Sequence, residues 1–154
     1  DYNDDREKGG VVIVRGTSVI NELCSILPKI IENGPNIKIV AALSWGLFHL
    51  QSEEYRRSVM KEDEWLDCMV ITNTSLGNMS HWVQHPIVKE YSLSPDWDNS
   101  WRFGGNLEEV IDESHLSAHW QSKAIQKFAN ERKLRIDALK KSIPENIFDK
   151  MGIE

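Results

Sequence analysis

The chain has 154 residues, 40% of them hydrophobic and 27% charged, with a mean hydropathy of −0.44. That length and balance suit one globular domain with its own core, and they exclude disordered and collagen-like chains. Eighteen basic against 24 acidic side chains leave a formal charge of −6. A general nucleic-acid binder is disfavoured, because its affinity rests on neutralising phosphates with Lys and Arg. No apolar run approaches the ~20 residues of a membrane span, and no signal-peptide core is present. A cytoplasmic protein with no membrane partner is therefore expected. Cys24 and Cys68 fit neither a disulfide framework nor a zinc spacing. The chain begins at Asp1 with a polar run over residues 1–10, which reads as a leader or linker of something longer.

Strand and helix signals then alternate. Val11-Val12-Ile13-Val14 is a β-branched apolar run of the kind buried on both faces of a parallel sheet. Gly16-Thr17-Ser18 reads as a turn with a helix cap. The spacing of Ile20, Leu23, Cys24, Leu27, Ile30 and Ile31 predicts a helix over residues 19–33, kinked or split by Pro28 and stopped by Gly34-Pro35. Ile37, Ile39 and Val40 lead into a second strand through Ala41-Ala42-Leu43, completing a β-α-β unit with a right-handed, parallel crossover.

Ser52 and the acids after it predict a short helix over residues 52–60, followed by a charged loop at 61–64. Residues 68–72 read as a third strand, residues 77–85 as a helix ended by Pro86, and residues 87–93 as a fourth strand. Residues 94–106 form a loop around Trp97, Trp101 and Phe103, and residues 107–112 a short helix. Ser117 caps a longer helix reaching Glu131, with Trp120, Ala124, Ile125 and Phe128 turned inward. From 131 to 141 five basic residues stand against two acids, and Ile136, Leu139 and Ile143 extend the stripe as far as Pro144. The expected fold is α/β: a three-layer, mostly parallel open sheet with helices on both faces and room for one antiparallel edge strand. Residues 11–131 form the domain proper, and residues 132–154 a charged helical extension.

Chemistry is harder to find. In open α/β sheets ligands bind at the carboxyl ends of strands. The first such loop, with Gly16, Thr17 and Ser18, is a candidate anion or ligand loop, although it has one glycine where a dinucleotide fingerprint needs three. The plainer reading is a turn and a helix cap. The second, Ser44-Trp45-Gly46-Leu47-Phe48, brings two aromatics that either line a pocket or partner surface or anchor the loop to the core. His81/His85 and His115/His119 have helical i, i+4 spacing but no recognisable third ligand, and His49 stands alone. Cys24 and Cys68 read as buried structural thiols. Glu108, Glu109, Asp112 and Glu113 read as dipole partners and solvated surface. There is no Gly-x-Ser-x-Gly elbow.

Three segments, in order, carry a resemblance. Lys38-Ile39-Val40-Ala41-Ala42-Leu43-Ser44-Trp45-Gly46-Leu47-Phe48 runs into His49-Leu50-Gln51-Ser52-Glu53-Glu54-Tyr55-Arg56-Arg57-Ser58-Val59. This resembles the C-terminal domain of transketolase-like, thiamine-diphosphate-dependent enzymes, a superfamily that includes the decarboxylating component of pyruvate dehydrogenase. There a strand and an aromatic loop precede a Gln-x-x-x-Tyr-Arg-x-Ser-Val helix. Val12-Ile13-Val14-Arg15-Gly16-Thr17-Ser18-Val19 is similar to the family's first strand and turn, and Arg102-Phe103-Gly104-Gly105-Asn106-Leu107-Glu108-Glu109-Val110 to its Phe-Gly segment. The chain departs from the pattern in an insert at 96–101, in a second glycine at Gly105 and in its charged extension.

The resemblance implies a domain that assembles a dimer and is inactive alone. Thiamine diphosphate and magnesium would be held by the N-terminal and middle domains of the parent enzyme, which transfers two-carbon or acyl units. The Gly-Asp-Gly motif that serves this purpose does not occur in this chain. No cofactor is expected to bind this fragment, and no catalytic or metal-ligating residue carries over. Trp45, Phe48, Trp101, Phe103 and Gly104 are the candidate interface residues, since aromatics are enriched at interface cores. Two rival expectations are a stand-alone α/β ligand-binding or regulatory module and a partner-binding role for the basic stretch 132–141, whose plainer reading is a solvated helix face.

Overall fold

The β-branched run nucleates the sheet as its centre. In the computed structural model, which describes residues 1–102, 104–144, 150 and 152, strand β1 (Lys8–Arg15) pairs in parallel with β2 (Asn36–Ala41) on one side and β3 (Cys68–Thr72) on the other. Strand alternation divides β1 between two cores. Val11 and Ile13 face one layer, Val12 and Val14 the other. The strand starts at Lys8, three residues inside the expected leader. Asn36 ties that leader down further, donating its amide to the carbonyls of Asn3 and Arg6 at 2.8 Å each. At Gly10, with φ 105°, a Cβ would lie 2.7 Å from the Phe128 ring, so the position needs glycine.

Helices α1 (Thr17–Asn33) and α6 (Ala118–Asn130) cover one face; residues near α2 (Trp45–His49), α3 (Glu53–Val59), α4 (Pro86–Tyr91) and α7 (Arg132–Ser142) fill the other. Helix α5 (Leu107–Glu113) leads into α6. The sheet is parallel and helix-covered on both faces, as expected. Among the described residues no edge strand is antiparallel: the one extra pairing, Ile71 with Leu93, is parallel.

Several expectations are corrected. Helix α1 is continuous through Pro28. Pro28 and Cys24, whose carbonyl loses its i+4 donor, are both exposed, so water can satisfy the freed oxygen. The buried stripe runs through Val19, Leu23 and Ile30, leaving Ile31 exposed and Cys24 a surface thiol; Cys68 is buried. Strand β2 ends at Ala41, before Leu43. Residues 77–85 form no α-helix; a 3-10 turn spans Leu76–Met79. The expected fourth strand is helix α4. Pro86 stands at the first helical position, which suits the φ its ring fixes, and the His85 ring accepts the Ile87 N–H. Ser117 caps α6 only by position: its hydroxyl donates to Asp112, while Glu22 of α1 takes the Ala118 N–H at 2.8 Å.

Helix α7, within the expected extension, is part of the core. Ile136 and Leu139 of α7 are buried with Val11, Val70 and Trp82. Arg135 is fully buried, donating to Asp67 at 2.6 Å and to the Gly9 and Phe128 carbonyls, with its guanidinium 3.7 Å from the Phe128 ring centre. Arg132 reaches the other Asp67 oxygen at 2.6 Å. The predicted charged loop at 61–64 holds a second buried pair. Glu64, within a 3-10 turn over Asp63–Trp65, accepts from Lys38 Nζ at 2.7 and 3.0 Å.

Candidate functional site: an apolar rim at the carboxyl end of β2

After β2 the chain turns into α2, capped by Ser44, whose hydroxyl accepts the Leu47 N–H at 3.3 Å. Trp45 and Phe48 lie three residues apart and turn inward, half-buried. Trp45 meets Trp82 edge-on at 5.3 Å and Trp65 at 6.2 Å, while Phe48 lies 5.3 Å from Trp82. On the outer side the Trp45 indole stacks against His81 at 5.0 Å and His49 at 5.9 Å. Each such ring pair adds roughly 0.5–1.5 kcal/mol beyond area burial, so the loop is held firmly.

Because the aromatics turn in, the leucines turn out. Leu43 is 81% exposed, Leu47 66% and Leu50 80%. Leu43 and Leu47, with Tyr55 of α3, also exposed, border a groove of about 340 Å³ floored by Phe48, Val59 and Trp82. The next helix is capped in the same manner, Ser52 accepting the Tyr55 N–H at 3.2 Å. Clustered exposed aliphatics of this kind mark interaction surfaces. Thus Trp45 and Phe48 anchor the loop, and the leucines beside them present its surface. The signal for this was in the sequence: at helical spacing, 45 and 48 share one face, and 43, 47 and 50 do not.

The other candidates lie elsewhere. Gly16, with φ 106°, admits the Asn73 side chain, whose amide takes the space where a Cβ would stand. Asn73 also donates to the Ser18 hydroxyl at 3.2 Å, so its amide sits over the first turn of α1; Thr17 is exposed. Beyond the end of β3 lies a cleft of about 600 Å³ lined by Leu76, Ser80, Lys89, Ser94, Asp96 and Trp97. Burial pushes the Asp96 carboxyl up, but hydrogen bonds from Ser94, Ser75 and the Leu76 N–H outweigh it, and the group is held below its ordinary range. Trp101 is 85% exposed and Gly104 is exposed on the same loop. Phe103 lies outside the described residues.

Neither loop is shaped for a magnesium diphosphate. Asp96 already accepts three donors, and the Asn73 amide occupies the helix N-terminus. Among the described residues no three His, Cys, Asp or Glu side chains converge as a metal site, and no helix is long and apolar enough to cross a membrane. Compared with protein-family models the chain matches none, and no curated protein matches it.

Proposed function

We propose that the chain is the C-terminal domain of a transketolase-like, thiamine-diphosphate-dependent enzyme, that it serves dimer assembly, and that it is inactive alone. The observation that carries this reading is the leucine rim. It lies within residues 38–59, where the resemblance to that family is densest, and it is a surface for contact rather than for chemistry. The parallel, helix-covered sheet agrees with the fold the resemblance implies. In this reading the other domains of the parent hold the cofactor, which supplies a carbanion for two-carbon or acyl transfer. This domain's residues do no step of that reaction.

Calorimetry of the isolated chain with thiamine diphosphate and magnesium tests it. No binding is the expected result, and tight magnesium-dependent binding would overturn the reading. The cleft beyond β3 favours a second reading, a small-ligand module. A saturable, ligand-specific rise in melting temperature, abolished by Ser80→Trp, would select that reading instead.

A further inference from the structure

Residues 94–114 contain six acidic side chains and one arginine, a net −5 in a chain of −6. The loop at the start of this stretch is built from its own side chains. Asp98 takes both guanidinium nitrogens of Arg102, at 2.9 and 3.1 Å, and the Ser100 N–H at 3.0 Å. Asn99 supplies the left-handed residue, with φ 54°. Asp96 fastens the loop to Ser75 and Ser94.

A continuous stack then straps the loop to α6. Arg102 lies 5.9 Å from the Trp97 ring centre, Trp97 stacks on His115 at 4.0 Å, His115 on Trp120 at 3.8 Å, and Lys123 lies 4.9 Å from Trp120. His115 adopts φ 58° just after α5, at a position where glycine is usual. The strained residue is kept where its imidazole fills the gap between two indoles. The outcome is a fixed loop with Trp101 almost wholly in solvent.

We infer that residues 96–102 form a preorganised recognition loop, whose Trp101 anchors an apolar, lysine- or arginine-rimmed surface on a protein partner. Tryptophan is enriched among interface anchors, and a loop ordered beforehand loses less entropy on binding. Six acids in this stretch outnumber Arg102 and the Lys123 of the stack, and that balance selects a basic rim and disfavours phosphate backbones and anionic lipid. The inference rests on the reading of the chain as an assembly domain and names the chemistry that this loop meets. Trp97, His115 and Trp120 are its positioning residues.

The test uses two amphipathic helical peptides of equal leucine content, one carrying lysines and one glutamates, titrated against the full chain by calorimetry. The lysine peptide is expected to bind, more weakly at higher salt, and Trp101→Ala to weaken it about tenfold or more. Trp120→Ala is expected to speed amide hydrogen exchange across 96–102 and to weaken binding with the melting temperature retained, and Trp120→Phe to restore both. Equal binding of the glutamate peptide, or undiminished binding by Trp101→Ala, would overturn the loop's role. Unchanged exchange in Trp120→Ala would overturn the strap. Leu47→Asp, measured in parallel, separates the two surfaces. It is expected to leave peptide binding intact, and its loss there would overturn the assignment to Trp101, whereas self-association reports on the rim alone.

Discussion

Lys38 stands in an apolar strand pattern, and its amine would point into the core layer shared by Val40 were it not for Glu64. Strand alternation places 38 and 40 on one face, so the buried lysine was legible; its partner, 26 residues away in a charged loop, was not. Removing one member of such a pair leaves an uncompensated buried charge, at a cost of about 3–5 kcal/mol, whereas replacing both with apolar groups is often neutral. Glu64→Leu is therefore expected to lower the urea unfolding free energy by about that amount, and Lys38→Met with Glu64→Leu to recover most of it.

Asp96 supplies a pH dependence whose sign follows from its depressed protonation range. The unfolded chain binds the proton more readily, so the contribution to stability is present above the ordinary carboxylate range and is lost as pH falls through the folded value. Urea midpoints of the protein and of Asp96→Asn, compared at about pH 6 and about pH 3, are expected to differ more at the higher pH.

At the scale of elements, what the sequence showed plainly was whatever local pattern decides. Strands β1 and β3 hold uninterrupted β-branched or apolar runs at 11–14 and 68–72, and helices α3 and α5 carry Ser52 and Asn106 as caps that accept backbone N–H groups. Helix α4 escaped because residues 87–93 partly alternate, and the signal that decides the matter is the proline before them acting at a helix start. Pro28 does not split α1, since a proline on a solvent face leaves its lost hydrogen bond to water.

The case of α7 is instructive because its charge count suggested an appendage. Within that charged stretch, Arg135 at the buried helix face joins Asp67, Gly9 and Phe128. A helix whose buried residues are one arginine and two aliphatics is amphipathic only once the arginine is counted as part of the apolar side. Deleting residues 132–154 uncovers Ile136's and Leu139's neighbours and leaves Asp67 buried without its cations. The shortened chain is expected to lose cooperative thermal unfolding by circular dichroism. A melting temperature unchanged from the full chain would show α7 to be dispensable.

For the whole molecule, the order of elements and the parallel sheet follow from periodicity, because each strand must bury both faces and each helix one. The candidate site was legible only in part. Aromatic residues drew attention to Trp45 and Phe48, but three-dimensional packing gives those rings an inward role and leaves Leu43, Leu47 and Leu50 in solvent. Helical spacing separates the two sets of side chains, but it does not say which set turns inward, because the partners Trp65 and Trp82 come from distant segments. The rim and the Trp101 loop are separate surfaces of one chain, one aliphatic and the other aromatic within an acidic field.

Covering one leucine contributes about 1.5–3 kcal/mol, so a contact that buries the rim twice across a two-fold axis has ample apolar area to work with. Sedimentation equilibrium of the full chain beside Leu47→Asp with Leu50→Asp measures this most directly. The assembly reading expects concentration-dependent dimers of the unaltered chain and monomers of the doubly substituted one, with the melting temperature of both alike. The same dimer constant for both chains, or monomers of the unaltered chain at every concentration, would contradict it.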